Sequence, residues 1–406
     1  MTDTWMLSKN IPAEKNDEIA IFATRKSATE HIAANIMNMD DASFLVIDIG
    51  TGIYDLTHVH CRQHDYEVHM YNSQSPESEG FDVIKYINMS GYAHSLPEYL
   101  FYGEEREELF SEEGRELLKY NEYRLLFCTY WYLLCTREEE MKLTDMAEML
   151  KEMSNAIDVE SVLSPFYEYE EKCNHYSPMT GMLKELSKLT LREIQATISS
   201  LYIRLQEFEL KNNKELLQNG DLGLESLFDK KSITYLCLNK YTNSLVDQVL
   251  LYAALCTFEK SVPRYPLQNV YLILNITESD ITIPWEMTRF ALDNVIRVVS
   301  VKNDFECENN MKWFQKYDPR FCSGSWVALD VDSKNDAELL SHRGGFENIE
   351  IKWGPFKREL SARKIYPKEI LNMDTAQCYV IKNHGNSYEG LAVIDDKFGK
   401  EEEYEG

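Results

Sequence analysis

A chain of 406 residues that is 44% hydrophobic and 12% aromatic can bury one large core or two to three ordinary ones. Its net charge of −26 argues against a strong phosphate-binding surface, because neutralising a nucleic-acid backbone takes clustered Lys and Arg; a local basic patch stays open. Nine cysteines, an odd number with no C-x-x-C pair, speak against a disulfide framework and for a reduced, cytoplasmic setting.

The first stretch, MTDTWMLSKNIPAEKNDE, is polar and has no signal-peptide apolar core. Residues 19–23, IAIFA, predict a short buried strand, and 28–39 a helix. Residues 44–49, FLVIDI, predict a second strand ending at Asp48 and the turn Gly50-Thr51-Gly52. A helix is expected over 57–64 and a third strand over 67–71. This alternation is the pattern of a parallel α/β sheet. From about residue 93 to 186 the text is charged and helical with no strand signal, which predicts a separate all-α domain. Within it 125–135, LLFCTYWYLLC, falls far short of the ~20 residues of a membrane span and reads as a buried helix. Membrane contact is therefore expected only through a partner. Residues 190–212 predict one long amphipathic helix with Leu191, Ile194, Ile198, Leu201 and Leu205 on one face. Strand character returns at 233–238, followed by a buried helix at 245–260. Further strands are expected at 270–274, 296–301 and 326–329, then short strands and loops from 348. The acidic tail, 396–406, is expected to be disordered. The domains expected are thus 1–92 and 187–395 for the sheet and 93–186 for the helical insertion.

The strand at 270–274 carries the most chemical information. In an NTPase such a strand ends in two carboxylates, one holding Mg²⁺ through its shell and one polarising the attacking water. Here Asn275 and Ile276 follow it. An amide is a weak magnesium ligand, and isoleucine neither takes a proton nor orients a water. Glu278, two residues on, reads as a solvated loop carboxylate or a substitute base.

The order of these segments resembles the cytoplasmic part of the conjugative coupling proteins of type IV secretion systems, the TraG/TraD-like group. SFLVIDIGTGIYDLT matches that family's strand and following turn at Asp48, Tyr54 and Thr57, while Ile49, Gly50, Thr51 and Gly52 replace its Pro-Lys-Gly-Glu core. Asn72 with Pro76 and Ser78, Ile283-Pro284, and Ala362-Arg363 with Pro367 and Glu369-Ile370-Leu371 resemble later family signposts. The resemblance covers about 19–394. It implies a RecA-like, P-loop NTPase-like, mostly parallel sheet with an inserted all-α domain.

A phosphate loop needs glycines to let backbone N–H groups wrap a phosphate, a Lys, and a Ser or Thr for Mg²⁺. The corresponding octet, Phe22 to Thr29 (FATRKSAT), has no glycine, and its Lys26-Ser27 lies about one residue off register. Lys26, Ser27 and Asp48 are the nucleotide-binding candidates, set against a remodelled structural turn. With the glycines, metal carboxylate and base replaced, the resemblance implies a catalytically inactive subunit. It would act as scaffold, adaptor or regulator in conjugative DNA transfer or type IV secretion. No catalytic residue is assigned, and neither ATP nor Mg²⁺ is expected as cofactor. The partners implied are proteins of that machinery, in a homo- or hetero-oligomer, at the inner membrane through a partner. The alternative is an active ATPase motor with non-standard site residues.

In HVHCRQH, His60 and His64 share a helix face at the spacing of a two-ligand metal site; with no third ligand evident, a polar surface helix is favoured and no metal is expected. Cys128 and Cys135 lie two turns apart, too far for a disulfide, and read as buried small hydrophobes.

Overall fold

The computed structural model describes residues 4–13, 19–90, 96–97, 115–137, 141–173, 177–217, 220, 222–239, 245–261, 269–275, 297–302, 325–331, 334–344, 346–353, 356–382 and 391–398. Its strands are β1 (Ile19–Phe22), β2 (Ala42–Ile49), β3 (Glu67–Tyr71), β4 (Ser232–Leu238), β5 (Asn269–Asn275), β6 (Arg297–Lys302), β7 (Ser325–Ala328), β8 (Phe346–Trp353), β9 (Phe356–Arg363), β10 (Gln377–Lys382) and β11 (Leu391–Asp396). Among the described residues nine of them form one sheet in the order β11-β10-β7-β1-β6-β5-β2-β4-β3, and β8 pairs with β9 in a separate antiparallel ribbon. The seven strands from β7 to β3 run parallel; β10 and β11 close one end antiparallel.

Every residue of β2 and of β4 is buried. That is why these strands read as near-continuous apolar runs: a parallel strand is covered on both faces. Successive side chains go to opposite faces, so Leu45, Ile47 and Ile49 join one core while Ala42, Phe44 and Val46 join another. Helices α1 (Arg25–Asn38) and α2 (Gly52–Gln63) cover the second face. Trp5, fully buried, packs there against Tyr271 with ring centroids 5.6 Å apart.

The first face is covered by α3 (Val83–Ser90), by a run of helices between β3 and β4, and by α10 (Leu245–Ser261). The run is α4 (Arg115–Arg137), α5 (Leu143–Met153), α6 (Val159–Lys172), α7 (Thr180–Leu186), α8 (Leu191–Leu205) and α9 (Lys211–Leu216). Helix α8 packs against α4 and α5. Thr190 and Glu193 start it with a capping box: Thr190 N–H donates to Glu193 Oε2 at 2.7 Å, and Glu193 N–H to Thr190 Oγ1 at 3.3 Å. The last helices, α11 (Lys334–Arg343) and α12 (Pro367–Leu371), pack on the β7 and β10 end of the sheet.

Three elements differ from the sequence reading. The long helix at 190–212 breaks at Leu205, where a 3-10 turn, Gln206–Glu209, precedes α9. Phe208 is buried there, and the Glu207 carboxylate accepts the Leu245 N–H at 3.2 Å, so tertiary contacts end the helix. Helix α2 starts at Gly52 rather than 57, because Asp48 Oδ2 accepts the Ile53 N–H at 3.1 Å and Thr51 bonds Asp55 at 2.7 Å. Helix α1 starts at Arg25 rather than 28. Of the tail expected at 396–406, Asp396 ends β11 and Lys397 and Phe398 follow it in ordered backbone, while 399–406 and 276–296, with the expectations placed on Ile276, Glu278 and Ile283-Pro284, lie outside the described residues. No helix among the described residues is long and apolar enough to cross a membrane.

Candidate functional site

Parallel strands bring their C-terminal ends to one edge of the sheet, and the register sets Asp48 at the end of β2 directly beside Asn275 at the end of β5. Both residues are 1% exposed. Asn275 Nδ2 donates to Asp48 Oδ1 at 2.9 Å and lies 3.4 Å from Thr29 Oγ1. The Arg25 guanidinium stands 3.8 Å from the same Asp48 oxygen. Burial pushes the Asp48 carboxyl up to about 6, against the lowering effect of the Ile53 N–H, Arg25 and Asn275. Asn275 Oδ1 is buried without a hydrogen-bond partner. Gly50, with φ +85°, turns the chain out of β2; a Cβ there would sit 3.2 Å from the Arg25 guanidinium.

The turn between β1 and α1 is two residues, Ala23 and Thr24. Arg25, Lys26 and Ser27, which a phosphate loop would hold in its coil, are helical instead. Thr29, last in the octet, is the hydroxyl near Asn275, and Ala28, fully buried, fills the position before it where the motif has Lys. Arg25 and Thr29, one turn apart, contact the Asp48 cluster. Lys26, Ser27, Glu30 and His31 instead line a cavity of about 440 Å³ beside the same helix. Lys26 and Ser27 are thus brought together with each other and not with Asp48.

The cavity's other wall comes from distant sequence: Leu329 and Asp330 after β7, Thr375, and Lys397 and Phe398 after β11. Asp330 is its polar hub. Thr24 Oγ1 donates to Asp330 Oδ2 at 3.2 Å, Lys397 Nζ lies 2.9 Å from Oδ1, and the Ser27 hydroxyl bonds the same carboxylate. Burial alone would raise Asp330; the Ser27 and Lys397 hydrogen bonds outweigh it and hold the carboxyl below its usual range. Lys26, mostly exposed, is 3.8 Å from Glu30. None of Asp330, Thr375, Lys397, Phe398 or His31 is marked by a local motif, so sequence reading missed them. His31 and the Lys26-Ser27 pair at i, i+4 and i, i+5 were the one signal within reach.

Of the remaining candidates, His60 and His64 stack at 3.9 Å, and His64 Nδ1 meets the His60 carbonyl at 2.9 Å. Among the described residues no group of three or more His, Cys, Asp or Glu has metal-holding geometry. Cys128 is buried and Cys135 half-buried, both as free thiols.

This strand order and the α1 and β5 placement define the class: a RecA-like, P-loop NTPase-type α/β fold with helices inserted between β3 and β4. Within that class the chain is similar to solved structures of one protein. The bacterial conjugative coupling protein TrwBdeltaN70, in its unbound monoclinic form, matches with a TM-score of 0.66 and 12% identity, over 98% of this chain and 89% of that one. The plasmid coupling protein TrwB in complex with ADP and Mg²⁺ matches with a TM-score of 0.63 and 14% identity, over 99% and 91%. TrwB with the non-hydrolysable GTP analogue GDPNP matches with a TM-score of 0.61 and 13% identity over the same shares. No family model and no curated protein sequence matches the chain.

These complexes correct the expectation that no cofactor, neither ATP nor Mg²⁺, goes with this chain: the neighbours in fold hold nucleotides, and one holds ADP with Mg²⁺. The expectation rested on the missing glycines of the octet and on Asn275 and Ile276 in place of the two carboxylates. The residues present fit such a group on the other side of α1. The cavity lies in the 300–1,000 Å³ range of small-ligand pockets, beside a helix N-terminus, with Lys26, Lys397 and the Ser27 and Thr375 hydroxyls on its walls. Asp330 and Ser27 supply the hard oxygens Mg²⁺ prefers when it arrives with phosphates.

Proposed function

We propose that this chain is a coupling-protein-like subunit of a conjugative transfer or type IV secretion machinery that binds a nucleotide and does not turn it over. The helices between β3 and β4, through the turn at 206–209, form its inserted domain. The nucleotide lies along α1, its phosphates held by Lys26, Ser27 and Lys397 with Asp330 facing the metal. Bound Mg²⁺ would neutralise phosphate charge there; the chain's own groups bind and orient. The observation that carries the silent half of this reading is the Asp48–Asn275 hydrogen bond. At the end of β5, where phosphoryl transfer needs a metal carboxylate, the side chain is a buried amide, and Asp48 beside it already accepts from the Ile53 N–H and the Asn275 amide and faces the Arg25 guanidinium. Such a subunit acts through its partners, as scaffold, adaptor or regulator, with nucleotide occupancy as its signal.

The test is calorimetric titration with ATP–Mg²⁺ and ADP–Mg²⁺ beside a phosphate-release assay. Binding that weakens in Lys26→Ala, with release at the level of a no-protein control, supports the proposal. Turnover that vanishes in Lys26→Ala would instead support a working motor. Absence of binding to the unmodified protein would refute the nucleotide role.

A further inference from the structure

Residues 5–13 tie together the two walls of the cavity. The segment is a tight hairpin. The Ala13 N–H donates to the Trp5 carbonyl at 2.8 Å and the Leu7 N–H to the Ile11 carbonyl at 2.8 Å, with Trp5 and Leu7 fully buried in the core that α1 covers. On one side the hairpin is pinned to α1: the Met6 N–H donates to Asn35 Oδ1 at 2.7 Å, and Asn35 Nδ2 donates back to the Met6 carbonyl at 3.2 Å. Asn35 stands on the helix that carries Lys26 and Ser27. On the other side it is pinned to the end of β11. Ser8 Oγ donates to Asp395 Oδ2 at 2.6 Å, Asn10 Nδ2 to Asp395 Oδ1 at 2.8 Å, the Asn10 N–H to Asp395 Oδ2 at 3.2 Å, and the Lys9 N–H to the Asp396 carbonyl at 2.9 Å. Met6 and Ser8 are two residues apart, a reach of about 7 Å at most, so the two anchor points are held close. Two residues past Asp395 comes Lys397, whose Nζ lies 2.9 Å from Asp330 and whose side chain is 9% exposed. The Lys397 N–H donates to the Ala376 carbonyl at 2.7 Å, which ties it to the β10 side; the Asp395 bonds tie it to the α1 side. Burial alone would raise Asp395; the Ser8 and Asn10 hydrogen bonds outweigh it and hold the carboxyl below its usual range, so it is an anion at neutral pH.

We propose that the 5–13 hairpin is a clamp and Asp395 a positioning residue: together they set the gap between the Lys26–Ser27 wall and Lys397, so that both cations grip one polyphosphate. The inference rests on the cavity being the nucleotide site. Among the described residues β11 pairs with β10 alone, so its end is an edge that frays unless something holds it. Two cations on separate walls act together at little cost only when their separation is fixed before the ligand arrives; otherwise each binding event also orders the end of β11. The sign of the electrostatics separates positioning from charge. Asp395 is an anion two residues from Lys397, so deleting it would by charge alone favour a phosphate. A loss of affinity on deleting it therefore comes from geometry.

Two measurements on the full chain test this, with thermal melts to establish folding. The first is amine-reactive labelling read by mass spectrometry, without ligand. Lys397 is expected to be protected in the unmodified protein and to label several-fold faster in Asp395→Ala, while Lys26, 87% exposed, keeps its rate. The second titrates ATP–Mg²⁺ by calorimetry through a double-mutant cycle. Asp395→Ala is expected to weaken binding about tenfold in the unmodified background and less than about twofold beside Lys397→Met, where no second cation is left to position. Asp395→Asn, which keeps one acceptor oxygen, is expected to fall between. Should Asp395→Ala not fold, Ser8→Ala with Asn10→Ala loosens the clamp without touching Asp395 and carries the same expectations. A merely structural role gives the same loss in both backgrounds, and that result overturns the inference alone. So does equal or tighter ATP binding by Asp395→Ala, or an unchanged labelling rate at Lys397. Failure of ATP and ADP to bind the unmodified protein overturns the nucleotide reading itself, and with it this role.

Discussion

Asp48 is a carboxyl that burial raises far from its ordinary value. Its ordinary value is 3.8 and its folded value about 6, so the native state holds the proton more tightly than the unfolded chain. For a raised carboxyl, stability is greatest below about pH 4 and falls as pH rises toward 6, the reverse of a salt-bridged aspartate. Urea unfolding of the unmodified protein and of Asp48→Asn is expected to show the two converging or crossing over that window, the variant lacking the Asp48 share of the pH slope while that of other buried carboxyls such as Asp247 remains. Asn275→Asp sets a second carboxylate where the amide now donates at 2.9 Å. Two buried like charges there are expected to cost roughly 3 kcal/mol at pH 7 and less at pH 5, where one is protonated; denaturant midpoints at the two pH values check it. Gly50→Ala forces a side chain into the left-handed region and against Arg25. A loss of about 1–2 kcal/mol is expected in the same assay.

At the scale of elements, strands were legible and helix ends were not. A strand buried on both faces writes itself as an apolar run, so β2, β3 and β4 stand within two residues of where the pattern puts them. Helix starts depend on contacts the local text does not contain: the Asp48 carboxylate begins α2, and Glu207 with Phe208 ends α8. Helix α1 is the instructive case. Without glycine in the turn, Arg25-Lys26-Ser27 has no reason to leave the helical region, and the helix grows back over the loop. Where the chain does carry a capping signature, at Thr190 and Glu193, it is honoured. Thr190→Ala is expected to cost about 1 kcal/mol, read from thermal melts. Trp5→Ala, which empties a fully buried site against Tyr271, is expected to cost about 3–5 kcal/mol by urea unfolding.

Over the whole molecule, one core joins side chains of β2, β4 and β5 to those of α4 through α8 and α10. Continuous packing of that kind couples the helical layer to the sheet. Unfolding followed by far-ultraviolet circular dichroism and by tryptophan fluorescence is expected to give coincident midpoints; separated transitions would show two independent units. The fold class was legible because alternation of strand and helix is a long-range pattern. The candidate cavity was not, because Lys26 and Ser27 meet Asp330, Thr375 and Lys397 only across some three hundred residues of chain. Lys26 and Asp48, which a motif places together, are parted by the width of one helix.

The seating of the last strand has a temporal meaning. Lys397 and Phe398 follow β11, which among the described residues pairs with β10 alone, so the cavity wall closes only when that edge strand docks. During synthesis every parallel strand is made before the pocket exists. A growing polypeptide on the ribosome therefore has no complete cavity to offer until β11 has emerged and docked, and occupancy by ligand would become a signature of chains folded through that strand.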